Sequence, residues 1–311
     1  MGTADNLTDR APAQASANRA GSAPACGAAA GAASSVTIGA LLERGRSQLQ
    51  GRSTSAALDA QLLLAHVLGR PRSELIAHPE QTVAPTAAAA CRALIARAAA
   101  GEPLAYLTGT REFWSLALAV TSAVLIPRPE TELAVERCLA LLPARGHARL
   151  CDLGTGSGAI ALALASERPA WHVTATDCSA PALEVARANA ERLGLRGVEW
   201  LLGDWFAALP GRAFELIVSN PPYIAARDPA LAALAHEPIQ ALSAGPSGLE
   251  ALSALIVHAP AYFAPGGWLV LEHGADQAPA VARALVAGGY ARVRCHQDLA
   301  GRDRVTEAQW P

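Results

Sequence analysis

Four consecutive residues, Asn220-Pro221-Pro222-Tyr223, join a neutral amide side chain, two backbone nitrogens without a proton and an aromatic phenol. The prolines stiffen the chain and remove two N–H donors, so the Asn220 side chain and the Pro221 carbonyl are held as fixed acceptors. A planar –NH2 group has two N–H donors and a lone pair delocalised into its π system. Gripping both hydrogens with neutral acceptors aims that nitrogen for in-line attack on an electrophilic methyl group, and Tyr223 can stack on the flat group. No strong base is needed, because the proton becomes acidic only after transfer has begun. The bland alternative is a proline-rich loop after a strand. Placement directly after a strand-like run, Phe214–Ser219, favours the chemical reading, with Asn220, Pro221 and Tyr223 catalytic and Asn220, Pro221, Pro222 and Tyr223 binding the substrate.

A second constellation begins at Asp152-Leu153-Gly154-Thr155-Gly156-Ser157-Gly158, after one predicted strand and before a helix. Glycines at alternate positions permit a tight turn and let backbone N–H groups and a helix N-terminus approach a ligand. A dinucleotide fingerprint would space its glycines G-x-G-x-x-G, whereas this run reads G-x-G-x-G. Asp177 ends the next strand, 19 residues after Gly158, where a carboxylate can accept both hydroxyls of a ribose or, more plainly, cap the helix that follows. After the third strand, Asp204 and Trp205 can bracket an adenine, although Trp205 could also be ordinary core. Glycine turn, ribose carboxylate and adenine neighbour, in that order, match a methyltransferase that uses S-adenosylmethionine (SAM). Its expected contacts are Gly154, Thr155, Gly156, Ser157, Gly158, Asp177, Asp204, Trp205 and Asn220.

Alternating elements must hold these residues. Strands are predicted at 149–153, 172–176, 198–202, 214–219, 268–272, 291–296 and 304–307, with helices at 159–166, 181–193, 249–263 and 278–287. Such alternation implies a Rossmann-like α/β fold with a mostly parallel sheet, whose ligands bind at the carboxyl ends of the strands. Leucines at helical spacing between 41 and 67, and an alanine-rich run at 87–100, predict a small all-α domain over residues 36–108. Residues 109–126 read as a β-hairpin or extended connector, with Val124-Leu125-Ile126 strand-like, and residues 127–311 as the SAM-dependent catalytic domain. Residues 1–35 hold almost no large apolar side chains and read as a disordered tail.

Composition narrows the partners. The 311-residue chain has a formal net charge of −2, and none of its 25 cations is a lysine. Residues 126–311 carry 15 arginines against 19 acids, so the catalytic part is acidic and ill suited to an extended nucleic-acid surface. Six scattered cysteines show no metal-ligand spacing, so no metal is expected, and Cys151 and Cys178 read as packing. With no apolar run of membrane-spanning length and no secretory signal, the expected location is the cytoplasm.

The chain resembles the release-factor glutamine methyltransferases (the HemK/PrmC family) over residues 37–311. Beside the two constellations, the matching stretches are Leu62–Gly69, Glu102–Gly109, Ile126–Glu132, Glu237-Pro238, Ala241-Leu242 and Asp298–Val305. The resemblance implies a helical substrate-recognition domain, a SAM-binding catalytic domain, and N5-methylation of the glutamine in the Gly-Gly-Gln loop of peptide-chain release factors. It assigns SAM contacts to Gly154–Gly158, Asp177, Trp205 and Asn220, and glutamine contacts to Asn220–Tyr223. The expected partner is therefore a release factor, met by a monomer that binds neither nucleic acid nor membrane directly. Pro127–Glu132 either shapes the floor of the active site or simply starts a helix. His273, in a position where the family usually has a small apolar residue, reads as a tolerated strand-end substitution.

Overall fold

The computed structural model describes residues 36–311, so the tail expected at residues 1–35 lies outside the described residues. The first elements are β1 (Val36–Thr37), α1 (Ile38–Leu49), α2 (Ala56–Leu68), α3 (Arg72–Ala77), β2 (Thr82–Val83), α4 (Pro85–Ala99) and α5 (Leu104–Thr108). Thr37 caps α1 by accepting from the Ala40 N–H at 3.3 Å, and Pro85 opens α4 where no N–H is missed. Helical periodicity puts Leu41, Leu63, Leu64 and Ile95 into one buried core with Leu75. The short α3, α5 and β1–β2 pair were not predicted, since two to six residues give periodicity nothing to repeat.

β3 (Thr110–Phe113) and β4 (Leu116–Ala119) form the expected hairpin. Its two-residue turn is Trp114-Ser115, both with positive φ (52° and 59°), a conformation usually supplied by Asn-Gly. The Trp114 N–H donates to Glu132 Oε1 at 2.8 Å and its indole N–H to Glu167 Oε1 at 2.9 Å, which offsets the strain. Val124-Leu125-Ile126 corrects the sequence reading, because it forms no strand. Val124 and Ile126 are buried and the Ile126 N–H is bonded to Glu237 Oε2 at 3.1 Å, so this apolar cluster reflects burial without strand pairing.

Then follow α6 (Glu132–Leu141), β5 (Arg149–Leu153), α7 (Ala159–Glu167), β6 (His172–Asp177), α8 (Ala180–Leu193), β7 (Val198–Leu202) and β8 (Phe214–Ser219). After them come α9 (Ala230–Ala233), α10 (Glu250–His258), β9 (Phe263–Glu272), α11 (Ala278–Ala287), β10 (Ala291–Gln297) and β11 (Asp303–Gln309). Helix α10 stops earlier than predicted, at a 3-10 turn (Ala259–Tyr262) containing Pro260, and β9 starts five residues before its expected position.

The sheet order is β10-β11-β9-β8-β5-β6-β7, parallel throughout except for β11, which runs against both neighbours. Side chains alternate across it. Leu150, Leu216 and Val218 pack under α6 and α7, while Cys151, Ile217 and Leu269 pack under α10 and α11. The chain moves outward from β5 to β7 and then returns to the other side of β5 as β8. That reversal makes a crevice at the carboxyl ends of β5 and β8.

Asn189 of α8, fully buried, ties the hairpin to the crevice. Its Nδ2 donates to the carbonyls of Ala119 (3.0 Å) and Ser157 (2.9 Å), while its Oδ1 accepts from the Ala119 N–H at 2.6 Å. Arg192, one turn on, donates to the Ala117 carbonyl.

Candidate active site

All three glycines of the turn after β5 sit at positive φ, +74° for Gly154, +56° for Gly156 and +84° for Gly158. The Gly154 and Thr155 N–H groups both donate to the Thr176 carbonyl at 2.9 Å, which fastens the turn to β6. Beneath it Asp152, 1% exposed, accepts from Thr155 Oγ1 at 2.6 Å and the Ala161 N–H at 3.2 Å. Burial outweighs those bonds and pushes its carboxyl up to about 7.

Asp177 stands across the turn. One oxygen accepts from the Gly156 N–H at 2.9 Å and the other from the Ser179 N–H at 2.8 Å. Helix α8 is capped by Ser179, whose hydroxyl accepts from the Ala182 N–H at 3.3 Å, so Asp177 links the glycine turn to the helix start without being the cap. Trp205 follows Asp204 at φ +46°, a strained conformation for a bulky side chain, and a Cβ on Gly154 would lie 3.4 Å from its ring.

These groups converge on a cleft lined by Gly154, Gly156, Asp177, Asp204, Trp205, Asn220 and Pro222. Its far wall is made of Ala123–Leu125 and Pro238, Gln240 and Ala241, none of them foreseen as site residues. Among the described residues its lining holds two carboxylates and no arginine, which suits a cationic ligand. Thr155 and Ser157 have buried side chains and line a smaller adjoining pocket with Pro127, Arg128, Thr131 and, again, Asn220. Gly158 lines neither space. It caps α7, where a Cβ would press to 3.0 Å from Trp200 and 3.1 Å from Leu162.

Asn220 thus stands where the two spaces meet. Pro221 and Tyr223 do not line the cleft: the Tyr223 ring packs into the core and its hydroxyl donates to Glu272 Oε1 at 3.4 Å. Its carbonyl accepts from Gln277 Nε2 at 2.9 Å, and burial drives its phenol well above the ordinary range. Both readings of Pro127–Glu132 hold, since a 3-10 turn (Pro129–Thr131) leads into α6 and the same segment floors the smaller pocket. Arg128 pairs with the buried Glu237 at 2.5 Å, which clasps this floor to the wall beside Pro238.

Sequence reasoning missed Glu272 and Gln277, and it named Thr131 and Glu237 only within longer stretches, without a role of their own. The only signal for Glu272 was a carboxylate closing an otherwise apolar strand. His273 is fully buried, bonded to the Gly274 carbonyl at 2.9 Å and Thr306 Oγ1 at 2.8 Å, and burial lowers its pKa. Partial burial and the neighbouring Asp177 and Asp204 raise the Cys178 thiol, which disfavours its thiolate. No group of three or more His, Cys, Asp or Glu among the described residues is arranged to hold a metal ion, and no helix there is long and apolar enough to cross a membrane.

The fold and cleft are those of a Rossmann-like methyltransferase. Residues 40–109 match the PrmC N-terminal domain and residues 131–280 the methyltransferase small domain. Similar proteins include the release factor glutamine methyltransferase of Coxiella burnetii, 46% identical over 84% of this chain and 95% of its own length. That of Xylella fastidiosa is 50% identical over 82% of this chain and 93% of its own, and that of Vibrio cholerae 48% identical over 89% and 98%. The chain belongs to the release factor glutamine methyltransferase family.

Proposed function

We infer that this protein transfers the methyl group of SAM to the side-chain amide nitrogen (N5) of the glutamine in the Gly-Gly-Gln motif of peptide-chain release factors. The observation that carries the reading is Asn220, a neutral acceptor at the junction of the glycine-turn cleft and the smaller pocket. The residues present fit SAM. The positive-φ turn clears room beside the carboxyl end of β5, Asp177 retains lone pairs for a ribose, Asp204 and Trp205 flank the place for an adenine, and two carboxylates favour a sulfonium. When bound, SAM supplies an electrophilic methyl group. Asn220 Oδ1 accepts from the amide nitrogen of the substrate glutamine, which keeps that nitrogen in line. The methylated nitrogen would be acidic enough to give its proton to solvent water, so no strong base is required of these residues.

The helical region, residues 36–108, serves as a second contact with the release factor, and the protein acts as a cytoplasmic monomer without direct binding of nucleic acid. The test is to incubate it with methyl-labelled SAM and a release factor and to map the label. Label on the Gly-Gly-Gln glutamine is expected. Label elsewhere, or preferential methylation of DNA or RNA in parallel reactions, would sink the reading.

A further inference from the structure

A line of polar groups runs from Asn220 away from the cleft. Asn220 Nδ2 donates to Thr131 Oγ1 at 3.2 Å, Thr131 faces the Glu272 carboxyl, and the Tyr223 hydroxyl donates to that carboxyl from another side. Thr131 is 4% exposed and Glu272 1%, and Glu272 Oε2 has no hydrogen-bond partner among the described residues. Stability alone gains nothing from such a group, because a neutral side chain of the same shape would be less costly to bury.

The protons can be counted along this line. An ionised carboxylate only accepts, so Thr131 must donate to it. Thr131 has a single proton, and once that is given to Glu272 its oxygen can only accept. Asn220 must then turn its –NH2 toward Thr131 and its Oδ1 toward the cleft. A protonated Glu272 gains a donor of its own, and where that proton is given to Thr131, Thr131 donates to Asn220 Oδ1 and the –NH2 of Asn220 swings toward the substrate. Two –NH2 groups would then face each other, with no acceptor between them.

We propose that Glu272 is a positioning residue which, through Thr131, sets the end of the Asn220 amide that faces the substrate nitrogen. This rests on the amide-methylation reading above. The groups around Glu272 are Arg304 of β11, which favours its charged form, Glu130 in the turn before α6, which opposes it, and Tyr223. Arg137 of α6 is engaged with Glu307 of β11, Glu132 of α6 with the Trp114 N–H, and His273 with Gly274 and Thr306. Burial dominates, and the carboxyl titrates at about 7.

The experiment is kcat against pH from 5.5 to 9, at saturating SAM and release factor. Because the charged form is the active one, kcat should rise with pH through about 7, its value at pH 6 being about one tenth of that at pH 8.5. Glu272→Gln, which carries no titrating proton, should give a flat profile in this range, below wild type at pH 8.5. Thr131→Val should lose both rate and acid limb, and Thr131→Ser should regain both. SAM affinity by calorimetry should be alike in all four proteins. An active wild type whose acid limb persists unchanged in Glu272→Gln overturns this inference alone, as does a loss confined to SAM affinity. A wild type that methylates no release factor at any pH overturns the functional reading, and this inference with it.

Discussion

The two halves of the site are made of different material. Around the glycine turn the cleft is shaped by backbone at positive φ, fastened to β6 and Asp177, with the Asp177, Asp204 and Trp205 side chains beside it. Around Asn220 side chains do more of the work: Asn220 Nδ2 donates to Thr131 Oγ1 and the Tyr223 hydroxyl to Glu272 Oε1, while Gln277 Nε2 holds the Tyr223 backbone carbonyl. A backbone site fails by steric exclusion and takes the fold with it. A side-chain site can lose its chemistry while the protein stays folded.

Asn220→Ala sharpens that contrast most. Turnover should fall by about 100-fold or more, the range seen when one fixed polar partner of a reacting group is removed. The melting temperature should stay close to wild type, and a folded variant with near-normal rates would erase the distinction.

Stability against pH comes next. Asp152 and Glu272 have carboxyls raised to about 7, well above their unfolded values, so the native state holds protons that the unfolded chain has released. Their contribution favours folding at low pH and is lost as pH rises from about 4 to 7, on the order of 4 kcal/mol for each. Chemical denaturation of Glu272→Gln should therefore show a gain over wild type at pH 8 that shrinks toward pH 4.5. A constant difference would mean that the carboxyl is not raised.

Gly158→Ala should cost about 2 kcal/mol or more, since φ +84° and contacts of 3.0–3.3 Å act together. Asp177→Ala should weaken SAM binding by about 1–2 kcal/mol, because a charged acceptor and a brace on the turn are lost together. The mildest change is Gly156→Ala. Its φ of +56° is unfavourable but its Cβ would meet open space, so about 1 kcal/mol is expected. Equal losses at positions 156 and 158 would show that conformation, not crowding, governs the turn.

Much of this was legible in the chain. The parallel strands were readable because each is an apolar run of ordinary length, and the two constellations because their residues are consecutive. What escaped were partnerships across long separations. Thr131 and Asn220 are 89 residues apart, and Glu237 and Ile126 are 111 apart. Val124-Leu125-Ile126 misled because apolar clustering signals burial before it signals pairing. The boundary expected at residue 108 is also crossed by side chains. The Tyr106 hydroxyl donates to the Val124 carbonyl at 2.6 Å, and Val124 lines the cofactor cleft. Cutting there would disturb the cleft, so contacts between the helical region and a release factor are better probed by surface substitutions than by truncation.

Asn189 has a bearing on solubility. A two-stranded hairpin has an outer edge of unpaired N–H and C=O groups, a template on which another chain can add a strand. Here the Ala119 N–H and carbonyl are taken by Asn189 and the Ala117 carbonyl by Arg192, so side chains of α8 seal the edge of β4. The residue that braces the glycine turn through Ser157 therefore also guards the hairpin against strand exchange between copies, and losing it would register as aggregation as well as a loosened turn.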